Sequence, residues 1–290
     1  ILEEALYSDR SEADLAARLE RIMAELAQPA ADEFSPLELS SLNFQSHIEQ
    51  TAFEKMVEEA RSLIRQGDMF QCVLSQRFSA EYSGRPLDYY RNLRVTNPSN
   101  YLYFYDFGDY QIIGASPESL VSVKQGQVTT NPIAGTRPRG KDEREDKVLA
   151  EELLADEKEV AEHRMLVDLG RNDIGKIAQN NSVEVTKYME VEYFRYVMHL
   201  TSVVRGQLLP QLTAMDALKS TLPAGTVSGA PKIRAMKRIY ELEQEKRGVY
   251  AGAIGYLSAT GDMDFAIAIR TMILKNGRAY VQAGAGIVYD

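Results

Sequence analysis

Short runs of alternating apolar and polar residues, each bounded by turn residues, constrain the fold of this 290-residue chain more than any other feature. In the first half they occupy residues 69–78, 101–107, 111–115, 120–124 and 127–130. Such alternation is typical of strands with one buried face, and strands joined by short turns pair antiparallel. We therefore predict an antiparallel sheet in this half of the chain.

The second half of the chain mixes strand-like and helix-like segments without a regular order. Predicted helices cover residues 142–155, 156–174, 213–221 and 230–245, and predicted strands cover residues 183–188, 199–207, 252–259, 265–274 and 279–282. A doubly wound parallel sheet requires strands and helices to alternate regularly, and these segments do not. The sequence therefore favours an α+β protein, in which antiparallel β-sheets are packed with helices.

An N-terminal helix and a linker precede the main domain. Apolar residues recur at helical spacing over residues 11–26, and residues 28–36 are rich in helix breakers. A second amphipathic helix is predicted over residues 47–66. We predict a small N-terminal region over residues 1–36 and one large domain over residues 37–290.

Charge and cysteine content limit the class of partner. The formal net charge is −9 at pH 7, so the chain lacks the basic face that attracts nucleic acid or an anionic membrane. No signal peptide or membrane-length apolar run occurs, and the first residue is Ile1, which indicates that part of the natural start has been removed. The single cysteine, Cys72, cannot form an internal disulfide and indicates a reducing compartment, by default the cytoplasm.

The predicted strand over residues 69–78 carries one polar residue of interest. Phe70, Cys72 and Leu74 fall on one face of this strand, and Gln71 falls on the other. We therefore expect the Gln71 side chain to point away from the hydrophobic core.

Three segments of small residues, 134–136, 223–229 and 282–286, are predicted to be loops that bind an anion. Glycine lets backbone amides approach a ligand without obstruction by a side chain. The middle loop also opens a helix, with Ser228 as the predicted N-cap and Pro231 in the first turn. The alternative is that these glycines only form turns and that Ser228 only caps its helix.

Two acids, Glu159 and Glu162, lie three residues apart and therefore share one side of a predicted helix. Carboxylates beside an apolar surface are suitable ligands for a hard divalent cation, most simply Mg²⁺. The alternative is a capping box of Asp156 with Glu159 on a solvated ion-pair surface. The candidate cations for that surface are Lys158, Arg164 and Lys176.

His199 and Arg270 are candidates for chemistry and for binding. His199 lies in a strand on the face opposite Met198 and Leu200, where an imidazole can transfer a proton near pH 7, although it can equally be a hydrogen-bonded structural residue. Arg270 ends the apolar run 265–269. An arginine in this setting pairs with a carboxylate, either of the protein or of a ligand.

The chain resembles the catalytic subunit of anthranilate synthase, component I, within the chorismate-utilising enzymes, almost continuously from about Phe44 to its end. The matching segments are FQCVLSQRF (70–78), IGASPESL (113–120), NPIAGTRPRG (131–140), DEKEVAEHRMLVDLGRND (156–173), VMHLTS (197–202), LPAGTVSGAPKIRAM (222–236), RGVYAGAIGY (247–256), DFAIAIRTM (264–272) and VQAGAGIV (281–288). The resemblance implies the fold of this family and the conversion of chorismate and ammonia to anthranilate and pyruvate.

The resemblance also implies roles for individual residues. Glu118 matches the general acid for the departing C4 hydroxyl, His199 matches the residue linked to pyruvate elimination, and Gln71 stands at a third catalytic position. Glu162, with Glu159, is implied to bind Mg²⁺ at the ring carboxylate of chorismate. The residues implied to hold chorismate are Gly135, Thr136, Thr226, Tyr250, Arg270, Gly284, Ala285 and Gly286.

Two positions separate the branches of the family. Relatives that add water to chorismate carry a lysine at the position of Gln71, and relatives that make aminodeoxychorismate carry one at the position of Ala134. Neither lysine is present here, which points to attack of ammonia at C2. The alternatives are an aminodeoxyisochorismate synthase and an inactive chorismate-binding fragment. Nothing in the chain resembles a Cys-His glutaminase, so ammonia is expected from a glutamine amidotransferase subunit.

The chain is shorter than the family pattern at both ends. Half of the family's tryptophan feedback site lies in an N-terminal part without a counterpart here, and the other half corresponds to residues 97–99, followed by Asn100 where proline is usual. The chain ends at Asp290, before the terminal helix that carries a second Mg²⁺ glutamate. The resemblance therefore implies half of a feedback site and half of a metal site.

Overall fold

The computed structural model describes residues 11–28 and 42–289, and the chain divides into two compact units after Pro36. In the first unit, helix α1 (Glu12–Leu26) begins at Ser11, whose hydroxyl accepts a hydrogen bond from the Asp14 N–H while the Asp14 carboxylate accepts one from the Ser11 N–H. The reciprocal bonds satisfy amide groups that a helix start leaves open. The predicted linker lies almost wholly outside the described residues.

The second unit contains two antiparallel sheets. The first sheet has the strand order β1 (Gln45–Ser46), β2 (Gln71–Glu81), β14 (Arg278–Ile287), β13 (Thr271–Lys275), β4 (Tyr110–Ser116) and β3 (Tyr101–Asp106), and β10 (Gly229–Ala230) also pairs with β2. Helices α2 (Gln50–Arg65) and α7 (Lys232–Leu242) pack on one face of β2. Ala60, Cys72, Leu74 and Ile239 form part of the core between them.

The second sheet has the strand order β11 (Ala253–Leu257), β12 (Met263–Ile267), β5 (Ser119–Lys124), β6 (Gln127–Thr130), β9 (Val197–Gln207) and β7 (Ile133–Pro138), and β8 (Glu184–Tyr193) also pairs with β9. Helices α5 (Glu157–Gly175) and α6 (Ala214–Thr221) pack on it. Val121, Val128, Val204 and Ile174 lie in the core between sheet and helices, and burial of each such side chain contributes about 1.5–3 kcal/mol.

Helix α5 positions acids at one end and apolar residues at the other. It begins at Asp156, whose carboxylate accepts hydrogen bonds from the Lys158 and Glu159 N–H groups. Val167 and Ile174 in its C-terminal half are buried in the core of the second sheet. The remaining helices are α3 (Pro86–Thr96) and α4 (Glu143–Ala155).

The structure confirms the α+β class and corrects several details. Helix α3 was not predicted, and Phe70, expected on an apolar face, is 72% exposed. The predicted strand 265–274 is two strands, β12 and β13, which belong to different sheets. Among the described helices, none combines the length and apolarity needed to cross a bilayer.

Candidate active site

Glu118 and Arg270 lie where the chain passes from one sheet to the other. Glu118 connects β4 to β5, and Arg270 connects β12 to β13. The Ala115 N–H donates to the Arg270 carbonyl (3.2 Å), and the Ile267 N–H donates to the Glu118 carbonyl (3.0 Å). Arg270 has φ +50, a left-handed conformation that ends β12 and turns the chain away. The two segments in which the chain crosses between the sheets, at Glu118 and at Arg270, are called the two crossings. They are therefore hydrogen-bonded to each other through the backbone.

The Glu118 carboxyl is poised for proton transfer near neutral pH. Burial raises its pKa to about 7, although the hydrogen bond from Thr226 and the positive charge of Arg270 act in the opposite direction. The Thr226 hydroxyl donates to Glu118 Oε1 at 2.9 Å. Three residues predicted for the site, Glu118, Thr226 and Arg270, thus interact with one another.

Residues 134–136 form a bulge within β7 rather than the predicted loop. The register with β9 shifts between Ala134 and Thr136, and Gly135 has φ +73, a conformation that glycine adopts without strain. His199 Nδ1 lies 3.0 Å from both the Gly135 carbonyl and the Thr136 hydroxyl. Because a carbonyl can only accept, the Gly135 contact requires a hydrogen on Nδ1, which leaves Nε2 of a neutral imidazole free to act as a base.

Glu162 meets Gln71 across the space between α5 and the first sheet. The Gln71 amide nitrogen lies 3.5 Å from Glu162 Oε1, and the side chain is 3% exposed. As predicted, Gln71 points away from the core that contains Cys72 and Leu74, but it is buried at the other face of β2. Its Oε1 has no hydrogen-bond partner among the described residues.

Glu159 is paired with a cation that the sequence analysis did not consider. Arg137 contacts Asp156 (2.7 Å) and Glu159 (3.4 Å). Of the cations named from the sequence, Lys176 pairs instead with Asp173 (3.1 Å). No local signal marks this pairing, since Arg137 lies on β7 and its two partners lie at the start of α5.

The Glu159–Glu162 pair offers part of a metal site. Burial and then the negative charge of Glu159 raise the pKa of Glu162, and a bound cation would relieve both effects. Among residues 11–28 and 42–289, no group of three or more His, Cys, Asp and Glu side chains is arranged to hold a metal. Two carboxylates are nevertheless sufficient for Mg²⁺, which commonly keeps several waters and takes oxygen atoms from a substrate.

Residues 282–286 continue β14 and are not a loop, which corrects a second prediction. The pairing of β13 with β14 ends at Met272 opposite Val281, whereas β14 continues beside β2 as far as Ile287. Beyond Val281, one edge of β14 therefore has no strand partner within the described part of the chain. Gly284, Ala285 and Gly286 lie on this open edge. This open edge begins beyond the start of β13, which Arg270 directly precedes.

The glycines of β14 make room for two side chains of the predicted site. A Cβ atom at Gly284 would lie 2.5 Å from Tyr250 Oη, and one at Gly286 would lie 2.8 Å from Gln71 Nε2. Burial raises the pKa of Tyr250, so its hydroxyl remains a hydrogen-bond donor at neutral pH. Tyr250, Gln71 and the open edge of β14 are therefore neighbours.

The segment 223–229 is a short 3₁₀ turn (Gly225–Val227) that continues into β10. Ser228 is not the N-cap of the following helix, since its hydroxyl donates to the Ala224 carbonyl (2.7 Å) and the N-cap residue is Pro231. The prediction that Ser228 caps this helix is therefore wrong, and its hydroxyl instead closes the turn that precedes β10. Thr226 connects this segment to Glu118, and Gly229 connects it to the strand that carries Gln71, since β10 pairs with β2 there.

Two cavities adjoin parts of this arrangement. One of about 60 Å³ is lined by Glu118, Thr226 and Asn131, and a groove of about 820 Å³ is lined by Tyr250 and Arg247 among others. Neither lining includes Glu162 or His199. Contacts rather than one enclosed cavity connect the predicted residues.

The family of chorismate binding enzymes matches residues 2–290 of the chain. The chain belongs to this family. Anthranilate synthase component 1 of Lactococcus lactis subsp. lactis is 59% identical over 289 residues, which are 100% of this chain and 63% of the relative. The component 1 of Pseudomonas aeruginosa is 51% identical over 279 residues, 94% of this chain and 56% of the relative. The chain thus spans roughly half to two thirds of the length of these chorismate binding enzymes.

Solved structures of chorismate binding enzymes confirm the fold. Anthranilate synthase component I from Streptococcus pneumoniae TIGR4 is 76% identical, with a TM-score of 0.92 over 99% of this chain and 64% of that one. The menaquinone-specific isochorismate synthase of Escherichia coli has a TM-score of 0.81 at 24% identity over 94% of this chain and 63% of that one. At that identity the second match shows the fold alone.

Proposed function

We propose that this chain is the catalytic part of an anthranilate synthase component I, which converts chorismate and ammonia to anthranilate and pyruvate. The names of relatives at 59% and 51% identity support this activity. The proposal extends to a whole protein of which the chain spans a part.

The buried position of Gln71 beside Glu162 is the observation that carries the choice of nucleophile. A carboxamide cannot take a proton from water, whereas a lysine amine at this position can. Ammonia is already nucleophilic and requires no such base. Ala134 in β7 likewise has no amine that could attack the ring and direct amination to C4.

Chorismate is a dicarboxylate, and the region between the two crossings offers donors for carboxylates. Arg270 can form a bidentate pair with one of them. The open edge of β14 at Gly284, Ala285 and Gly286, together with the hydroxyls of Thr136 and Tyr250, can supply further hydrogen bonds. We assign these residues to substrate binding.

We assign Glu162 and Glu159 to a Mg²⁺ ion that binds with the substrate. When bound, the ion neutralises the ring carboxylate and withdraws electron density from the ring. Glu162 supplies a half-buried carboxylate for this purpose, whose pKa is raised first by burial and then by the negative charge of Glu159. Arg137 holds Glu159 in place on α5.

We propose that two protein groups move protons. The Glu118 carboxyl protonates the C4 oxygen as it departs, and the nitrogen of ammonia bonds to C2. His199 Nε2 then removes the proton from C2, the C3–O bond breaks and the ring becomes aromatic, and the departing enolpyruvate takes a proton at its methylene carbon to become pyruvate. The hydrogen bond at His199 Nδ1 fixes the ring and its tautomer for that step.

We infer that ammonia comes from a glutamine amidotransferase subunit. Cys72 is fully buried, and burial raises the pKa of its thiol to about 12, so it cannot serve as a glutaminase nucleophile. Relatives named as a component imply a second component. A reduced, buried thiol also suits the cytoplasm, where we place the protein.

Product analysis tests the activity. The full-length polypeptide that contains this chain is incubated with chorismate, Mg²⁺ and an ammonium salt, and the products are separated and identified by mass and fluorescence. We expect fluorescent anthranilate together with an equal amount of pyruvate. Isochorismate, a C4-aminated product or accumulated aminodeoxyisochorismate would contradict the assignment, as would binding of chorismate without turnover.

A further inference from the structure

The cavity of about 60 Å³ beside Glu118 extends away from the residues assigned to chorismate. Its far wall consists of Gly170 and Asp173 of α5 and of Thr130 at the end of β6. One enclosed water needs about 10–15 Å³ of such volume. The cavity therefore has room for several water molecules.

Two buried polar atoms in the cavity lining lack a partner. Thr130 is 7% exposed, and its hydroxyl has no hydrogen-bond partner among the described residues. The side-chain oxygen of the adjacent Asn131 is also buried and without a partner in the described part of the chain. Buried polar atoms are normally hydrogen-bonded by protein or by ordered water. The Thr130 hydroxyl therefore requires a small hydrogen-bonding molecule in this cavity, and the oxygen of Asn131, which also borders a neighbouring cavity of about 160 Å³, requires one as well.

Gly170 keeps the space beside Thr130 open. A Cβ atom at Gly170 would lie 3.0 Å from Thr130 Oγ1 and 3.6 Å from Pro132 Cγ. Glycine inside a helix is less stable than alanine. Its presence in the middle of α5 is explained if the space beside the Thr130 hydroxyl has to remain available.

We propose that Thr130 and Asn131 hold a cluster of ordered water that returns a proton to Glu118 during each catalytic cycle, before the product leaves. Thr130 is thus a positioning residue, which acts on Glu118 through water. This inference rests on the proposed function, because it assigns a proton donor role to Glu118.

In the proposed amination Glu118 gives up a proton, which has to be replaced along a path through the water cluster. As the C2–N bond forms and the C4–O bond breaks, the oxygen leaves with its electron pair and takes the Glu118 proton to become water. The attacking ammonia releases one proton when it becomes an amine. One proton must therefore reach Glu118 in each cycle, and bound substrate covers its other side.

The charged groups near this path are Arg270, which faces Glu118, and Asp173, which lines the cavity. Asp173 is paired with Lys232 (2.5 Å) and with Lys176 (3.1 Å). Both lysines are therefore paired with the carboxylate that lines this end of the cavity. The hydroxyl of Thr226 completes the lining on the side of Glu118.

A crystal structure at a resolution that shows ordered water tests the site without reference to activity. We expect water within hydrogen-bond distance of Thr130 Oγ1 and Asn131 Oδ1, and continuous to the Glu118 carboxyl. A dry cavity would overturn the inference even if anthranilate is made. Ordered water with no anthranilate formed would reject the proposed function alone.

Thr130→Val in the full-length polypeptide tests the role, since valine keeps the shape and removes the hydroxyl. We expect kcat to fall about 10-fold, the solvent deuterium isotope effect on kcat to rise, and the KM for chorismate to stay unchanged. Thr129→Val is the matched control, because Thr129 lies on the opposite face of β6 and outside the cavity lining.

Gly170→Ala provides a second variant that does not depend on tolerance of valine in the core. Its methyl group would lie 3.0 Å from Thr130 Oγ1 and displace the water next to that hydroxyl. We expect a lowered kcat and the same rise in isotope effect. Unchanged kcat and isotope effect in both variants would overturn the inference.

Discussion

At the residue scale, burial gives Glu118 its reactivity and also destabilises the protein. The carboxyl has a pKa of about 7 instead of the ordinary 4.5, chiefly because it is removed from water. A protonated carboxyl can donate to a departing oxygen at neutral pH. Above neutral pH the same group becomes a buried charge, for which Arg270 and Thr226 compensate only in part.

Replacement of Glu118 by Gln should therefore raise stability while it lowers activity. The folded-state pKa lies above the unfolded value, so the wild-type protein loses stability as pH rises from about 4.5 through about 7. Glutamine is neutral throughout and avoids this loss. At pH 8 we expect the free energy of unfolding to rise by about 1–3 kcal/mol and kcat to fall about 100-fold or more.

Urea unfolding at pH 4 and pH 8 measures the first effect, and steady-state kinetics measures the second. The stabilisation should be present at pH 8 and absent at pH 4. Equal stability of the two proteins at pH 8 would show that Glu118 is not a buried titrating group. With the concentration of free ammonia held constant, wild-type activity that increases from pH 7 to pH 9 would contradict its role as the acid.

His199 should separate the two halves of the reaction. In His199→Asn the amide can still contact the Gly135 carbonyl, but it cannot remove a proton from C2. We expect chorismate consumption to continue, pyruvate release to fall about 100-fold, and a non-aromatic aminated intermediate to accumulate. Chromatography of quenched reactions, together with an enzymatic pyruvate assay, measures both. Parallel loss of consumption and release would refute this division of roles.

At the element scale, the departure of the chain at Arg270 opens the edge of β14. The pairing of β13 with β14 reaches only as far as Met272 opposite Val281, and the three small residues Gly284, Ala285 and Gly286 follow on β14 without a partner on that side. A β-edge of this kind can hydrogen-bond an extended or anionic ligand. The turn at Arg270 thus provides the guanidinium of that residue and also leaves the backbone of Gly284, Ala285 and Gly286 accessible.

Gly284→Ala should weaken substrate binding. The new Cβ would meet Tyr250 Oη at 2.5 Å and the Leu74 carbonyl at 3.1 Å, so Tyr250 must move. Loss of one hydrogen bond to the substrate, about 1.5 kcal/mol, should raise the KM for chorismate about 10-fold. Gly175→Ala is the control, because a Cβ there meets nothing within 4 Å. An unchanged KM in Gly284→Ala would remove Tyr250 from the site.

The buried pair of Asp173 and Lys232 connects α5 to α7. The two charged atoms are 2.5 Å apart, both side chains are less than 10% exposed, and Lys232 Nζ also donates to the Thr221 carbonyl (2.8 Å). Lys232→Met leaves a buried carboxylate that only Lys176 still contacts, so we expect a loss of about 3 kcal/mol in stability. Asp173→Leu/Lys232→Met should recover most of it. A double variant as unstable as the sum of the singles would contradict this explanation.

The sequence predicted most elements because their periodicity is local. The strands 127–130 and 101–107 and the helices that begin after Asp142 and Asp156 were located to within one or two residues. The break at Arg270 was missed, since nothing in a continuous apolar run marks a change of sheet. Helix α3 (Pro86–Thr96) has a weak apolar face and was also missed.

Site residues were predicted through the resemblance more than through pattern. Glycine-rich segments looked like loops, yet segment 282–286 is a strand and segment 134–136 a bulge, because strand pairing is set by distant partners. The contact of Gln71 with Glu162 spans 91 positions in the chain and has no local signal. Arg137 was overlooked because its partners belong to another element.

At the scale of the whole molecule, two sheets and α5 each contribute a different part of the site. The first sheet supplies Gln71 and the edge of β14, the second supplies His199, and α5 supplies Glu162. Within the described residues, no exposed cysteine is present that could release ammonia from glutamine. This agrees with our proposal that a separate amidotransferase subunit supplies the ammonia.

The isolated full-length polypeptide should consequently use ammonium ion but not glutamine. We expect anthranilate formation to rise with ammonium concentration and with pH, since the free base is the nucleophile, and to be undetectable with glutamine alone. Addition of a purified glutamine amidotransferase subunit should confer activity with glutamine. Formation of anthranilate from glutamine by the single polypeptide would contradict the inferred partner.

The reciprocal backbone bonds between the two crossings have a consequence for how this architecture diversifies. They hold the proton donor and the guanidinium in one rigid frame, to which neither Gln71 nor Ala134 contributes. A mutation at either position can therefore exchange the incoming group while the machinery for the outgoing hydroxyl keeps its shape. On our proposal, new reactions of the same substrate can arise by substitution of Gln71 or Ala134 alone. The residues that act on the departing hydroxyl need not change.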